Sequence, residues 1–156
     1  MSLRAFLRAR PNPSVDPAMR AHCERFIAKA LARAPGGLGG PPALGLSACG
    51  PGPLLSAGLP FGTPAERTRA LGAARKLARG AAAAVLVLRG WRRLAGHGEE
   101  PVEVVEAVVL RAWTDADEAV AWPIRRDADG RPTAGEPVRL DGPVDPELRV
   151  LGPGPN

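Results

Sequence analysis

Residues 63–131 constrain this chain more than any other stretch, because they begin with a self-contained helix start and continue into three strand-forming runs. In Thr63-Pro64-Ala65-Glu66 the Thr63 hydroxyl is placed to accept from the Glu66 N–H, and the Glu66 carboxylate to reach back to the Thr63 N–H, a capping box. Pro64 falls at the first helical position, where its missing N–H costs nothing. Leu71, Ala74, Leu77 and Ala78 then recur at helical spacing, with Arg67, Arg69, Arg75, Lys76 and Arg79 mostly off that stripe. Gly80 supplies a stop, since glycine takes the left-handed conformation after a last turn.

Val85, Leu86, Val87 and Leu88 are apolar on both faces, the pattern of a strand buried on two sides. A second strand is expected over 102–113 and a third over 119–126, with Val120, Trp122 and Ile124 on one face and Pro123 marking an edge. Thr114-Asp115-Ala116-Asp117 and Asp127-Ala128-Asp129-Gly130 are turn chemistry, and residues 138–140 suit a short fourth strand. The expected fold is α+β: two helices packed on a three- to four-stranded antiparallel meander.

The remaining segments follow from composition. Residues 1–15 read as a basic flexible arm with Arg4, Arg8 and Arg10. Residues 16–34 read as an amphipathic helix capped by Asp16, with Met19, Cys23, Phe26, Ile27, Ala30 and Leu31 on its apolar face. Residues 35–62 are rich in proline and glycine and hold no charged residue, and are expected as an irregular connector strapping leucines over the domain. Residues 63–140 form the core and 141–156 a flexible tail. Leu77→Asp or Phe26→Asp is expected to destabilise the fold by burying an unpaired charge.

The 156 residues carry a formal net charge of +5, and the pI is about 10.5. A basic balance invites a nucleic-acid partner. Yet nearly all of it is arginine, beside abundant Ala, Gly and Pro, the signature of a GC-rich genome. Its layout is more telling. Arg67, Arg69, Arg75, Lys76, Arg79, Arg89, Arg92 and Arg93 face only Glu66 over 63–93, whereas Glu99, Glu100, Glu103, Glu106, Asp115, Asp117 and Glu118 face only Arg111 over 99–118. Either the two blocks neutralise each other, or the basic block is a surface for RNA, DNA or an acidic protein. Trp91 beside Arg92 and Arg93 is the one aromatic group suited to base stacking. With no run of about 18 apolar residues and no secretory leader, no membrane and a cytoplasmic location are expected.

Specific chemistries find little support. Cys23 and Cys49 form no Cys-x-x-Cys motif, which argues against a disulfide framework. His22, Cys23, Cys49 and His97 would all have to converge to make a zinc site, so no metal and no cofactor is expected. Cys49 with His97 is a conceivable thiolate pair, without a local signature. Asp115 with Asp117, and Asp127 with Asp129, lack the distal Glu of a calcium loop. Gly36-Gly37-Leu38-Gly39-Gly40 lacks the Lys-Ser/Thr of a phosphate loop.

Ala84-Val85-Leu86-Val87, Trp91, the charged loop with Pro101, the strand 103–110 and Ile124-Arg125-Arg126-Asp127-Ala128-Asp129-Gly130 together resemble a group of uncharacterised small bacterial and phage proteins. In that group a helix leads into a valine-rich strand ending in a Ser-Glu-Ala-Trp-like motif, followed by a Pro-containing loop and two strands. Here Leu88-Arg89-Gly90-Trp91 stands in that place. The resemblance implies the order of elements and a bacterial or phage origin, and brings no catalytic residue with it.

The expected function is that of a small accessory protein without catalysis, acting through protein–protein contacts. The alternative is nucleic-acid binding through Arg67, Arg69, Arg75, Lys76, Arg79, Arg92 and Arg93. A second alternative is an enzyme using Cys49 and His97 or the acidic segment; the reading leans against an enzyme because no catalytic constellation stands out.

Overall fold

The computed structural model of the chain describes residues 15–38 and 43–151. Of the expected basic arm, only Val15 falls within them, and it is buried. The first helix, α1 (Pro17–Arg33), begins as its sequence dictates: the Asp16 carboxylate accepts from the Met19 N–H at 2.8 Å and Pro17 opens the first turn. Its apolar face buries Cys23 and Ile27, while Phe26, Ala30 and Leu31 are half-buried. A 3-10 turn (Ala34–Gly37) follows it.

The expected connector is in fact a β-hairpin. Strands β1 (Ala43–Cys49) and β2 (Leu55–Pro60) pair antiparallel, with Leu46 opposite Ala57. In β1, Leu44, Leu46 and Ala48 are buried on one face, and small residues fill the other. That is a period-two pattern, written in leucine, glycine, serine and alanine instead of the β-branched residues that usually signal strands. The turn between the strands presses on the chain leading into the next one: a Cβ at Gly50 would lie 3.1 Å from the Ala81 Cα.

The second helix, α2 (Pro64–Leu77), opens with the expected cap, the Thr63 hydroxyl accepting from Glu66 N–H at 3.1 Å. The Glu66 carboxylate reaches one residue further than expected, to the Gly62 N–H at 3.1 Å. The helix stops at Leu77, and Gly80 follows with φ +82°. Then come β3 (Ala83–Arg92), β4 (Val102–Arg111), β5 (Glu118–Arg126), β6 (Pro132–Ala134) and β7 (Val138–Arg139).

The sheet therefore exceeds the three or four strands expected. Its order is β2-β1-β3-β4-β5-β6, with β7 also on β5, and every pairing is antiparallel. β6 pairs with Ile124 to Arg126 and β7 with Val120 and Ala121, so the outer partner of β5 is interrupted beside Trp122 and Pro123. The proline, which cannot donate to a ladder, sits at that gap. Because β2 and β3 flank β1 on opposite sides, they run parallel, and α2 crosses over β1 between them.

Two apolar clusters lie on the two faces of the sheet. On one, Leu71 and Ala74 of α2 pack on Leu44, Leu46, Leu86, Val108 and Leu110. On the other, Cys23 and Ile27 of α1 pack on Cys49, Val85, Val105, Val109 and Trp122. β3 and β4 are thus covered twice, which is why they read as nearly unbroken apolar runs. Residues 141–151, expected to be a flexible tail, instead close the α2 face. A 3-10 turn (Pro146–Leu148), capped by Asp145, delivers Leu148, Val150 and Leu151 into that core. Leu77, expected in the core, is 45% exposed, because it lies on the flank of α2 and not over the sheet.

Candidate functional site

The solvent face of α2 carries uncompensated positive charge, as does α1, where Arg25, Lys29 and Arg33 are exposed without a carboxylate in ion-pair distance among the described residues. Residues 69 and 76 are two turns apart and stack along the outward side. Arg69, Lys76 and Arg79 are exposed and Arg75 is half-buried. Among the described residues, no carboxylate lies within ion-pair distance of these four. Arg67 is different: it reaches Glu147 at 3.2 Å. Arg75 and Lys76 suit the last turn on dipole grounds alone, but Arg69, in mid-helix, gains nothing from that.

The acidic block does not neutralise this helix. Glu106 is buried on the sheet and pairs with Arg92 at 2.6 Å. Glu118 bonds Arg111 and lies 3.5 Å from Arg139. Asp117 bonds Arg149, which also donates to the Thr114 carbonyl at 3.3 Å. Glu103 faces Arg126 at 3.7 Å. Arg111 additionally grips Glu24 of α1 through two bonds of 2.6 and 3.0 Å, and this holds the Glu24 carboxyl below its ordinary range. The carboxylates of β4 and β5 are therefore taken by arginines of the sheet and the C-terminal segment. The positive charge of α2 is left over.

The Trp91, Arg92, Arg93 group is divided. Trp91 is 69% exposed, but alternation along β3 puts it on the face opposite α2, and Arg92 is committed to Glu106. Arg93 is exposed. The candidate residues thus form one cluster on α2, with Arg92 and Arg93 apart from it at the far end of β3. Trp122 is a core residue, and Trp113 is half-buried with Arg20 stacked 5.7 Å from its ring centre.

The titratable candidates separate as well. Cys49 pairs in register with Ala83 at the start of β3, whereas His97 lies beyond the end of that strand, about 30 Å away by strand length. The thiolate pair is therefore not assembled. What the structure brings together is Cys23 and Cys49, whose sulfurs are 3.5 Å apart in the core. Both are free thiols. Burial, then the neighbouring Cys49, pushes the Cys23 thiol up to about 12. The sequence carries no spacing signal for this contact, which depends on α1 crossing β1. Asp127 serves its turn, its carboxylate accepting from the N–H groups of Asp129 and Arg131 at 2.9 Å each. Of the glycine run, Gly36 and Gly37 belong to the 3-10 turn after α1, while residues 39 and 40 lie outside the described part.

A cleft beside Arg92, Glu106 and the 141–145 segment has a volume of only ≈ 30 Å³, room for about one water and far below an organic ligand's need. No helix among the described residues is long and apolar enough to cross a membrane. Set against protein-family models, curated proteins and solved structures, the chain matches none.

Proposed function

We propose that this is an accessory protein without catalysis that docks an acidic protein surface through the outward face of α2. One observation carries the reading: Arg69, Arg75, Lys76 and Arg79 have no carboxylate partner among the described residues, although the same chain gives Glu103, Glu106 and Glu118 of β4 and β5 each an arginine. Four like charges on one short helix repel each other modestly, and an anionic partner removes that cost while steering the encounter. The acidic segment supports a partner less, because Glu103, Glu106, Asp117 and Glu118 are each paired with an arginine of this chain.

An acidic protein is favoured over nucleic acid because the α2 face has no aromatic side chain on which bases could stack, and Trp91 is on the opposite face. The test is fluorescence anisotropy with polyglutamate and with single- and double-stranded RNA, each titrated with salt. The expected result is polyglutamate binding that weakens with salt and disappears in the Arg69→Glu/Lys76→Glu/Arg79→Glu variant. Stronger binding to either RNA at equal charge shifts the reading to a nucleic-acid surface. No binding to any polyanion overturns it.

A further inference from the structure

We propose that two copies of this chain join through the β2 edge and the adjoining flank of α2, continuing one sheet across a two-fold axis. This goes beyond the basic-face reading and does not depend on it. The two edges of the sheet are built differently. The edge along β5 to β7 is lined by Arg125, Arg126, Arg131, Glu136 and Arg139, the kind of charge that blunts an edge against pairing. The β2 edge has none: residues 35–62 hold no charged residue, and no described strand lies beyond β2. Ser56 and Gly58 are exposed there and too small to overhang the backbone, and Pro60, which has no N–H to donate, falls only at the last position of the strand.

Beside this edge lies an apolar flank. A right-handed crossover from β2 to β3 turns residues 66, 73 and 77 of α2 toward the outside of β2. Ala73 is half-buried there, and Leu77 is 45% exposed. Leu54, just before β2, is 64% exposed, and the turn containing it abuts Ala81 directly after α2, so the two leucines share one end of the strip. Leu54 and Leu77 are two of the three large apolar side chains exposed among the described residues.

A second copy fits this strip better than another partner. An uncharged strand laid antiparallel on itself opposes no like charges, and a charged strand would find no counter-charge. If α2 sits about half a strand spacing inside the edge, pairing β2 to β2 leaves the two α2 axes about 10 Å apart, the ordinary distance for packed helices. Antiparallel α2 helices also set the first turn with Glu66 near the partner's last turn with Lys76, charge against opposite charge. A strip about 20 Å long and two layers deep buries on the order of several hundred Å² per copy, near the lower bound for a stable dimer.

The test is sedimentation velocity on the full chain at ~1 and ~100 µM, a range that brackets weak interfaces of this size. The expected species at the higher concentration has twice the 16.2 kDa chain mass and persists in high salt. Ser56→Lys and Leu77→Lys alter exposed positions, and each is expected to yield a monomer with unchanged far-ultraviolet circular dichroism. Hydrogen exchange on the unmodified chain gives a second reading, with β2 amides exchanging more slowly at the higher concentration. A monomer at ~100 µM, an assembly that survives either substitution, or β2 exchange indifferent to concentration overturns the proposal.

Discussion

Single residues in this protein are held by partners that sequence spacing does not announce. Cys23 and Cys49 are 26 positions apart in the chain, yet their sulfurs touch at 3.5 Å. Thiol chemistry requires the thiolate and access to it; both sulfurs are buried, and burial pushes the Cys23 thiol up. Native protein is expected to leave both cysteines unmodified by a thiol reagent at pH 8, whereas denatured protein reacts at both; rapid native labelling would refute the buried pair. Cys23 also sets a pH dependence. Its folded value, about 12, lies above the ordinary thiol value of about 9.0, so from about pH 9 upward the unfolded chain binds fewer protons than the folded one. Cys23 thus lowers stability progressively as pH rises through that window. Chemical denaturation at pH 8 and 10 should show a smaller alkaline loss for Cys23→Ala than for the parent. Glu106 is legible as acidic but not as buried. Arg92→Ala strands its carboxylate on the sheet, and a cost of about 2 kcal/mol is expected, reduced because Arg92 is itself half in solvent. That cost should vanish in a Glu106→Leu background, a cycle readable from urea melts.

At the scale of elements, legibility followed residue chemistry. Both helices were readable because Asp16 and Thr63 are strong caps with a proline after each, and the structure places both caps as expected. Thr63→Ala should therefore cost about 1 kcal/mol in a urea melt. Strands β3 and β4 were readable from valine content, and β5 from the alternation of Val120, Trp122 and Ile124. The β1–β2 hairpin was not, because glycine and proline mask an alternation that tertiary cover makes decisive. Helical spacing also failed to separate the centre of the α2 stripe from its flank. Leu71 faces the sheet at 4% exposure while Leu77 does not. Leu71→Asp is expected to lower stability by several kcal/mol, and Leu77→Asp by under about 1 kcal/mol. Equal losses would mean that α2 is rotated relative to this description. The basic cluster was legible as residues, but whether it was free was not, since that depended on which arginines the fold gave to the carboxylates.

For the whole molecule, ion pairs join elements distant in sequence. Arg111 ties α1 to the sheet through Glu24, and Arg149 ties the C-terminal segment to the β4–β5 turn. Glu24 has its carboxyl held down by Arg111, so its contribution is present above its unfolded value near 4.5 and is lost as pH falls through the folded one. The difference in melting temperature between Glu24→Gln and the parent should be visible at pH 7 and should narrow as pH falls below the ordinary carboxylate range. The segment ending in Leu148, Val150 and Leu151 has a consequence for biosynthesis. These side chains complete a core whose other walls, β1, β3, β4 and α2, all precede them in the chain. A polypeptide leaving the ribosome from its N-terminus therefore presents a finished sheet with one greasy side open until its final wall emerges. During that interval the open side is exposed apolar surface, the kind that makes an incompletely folded chain prone to aggregate.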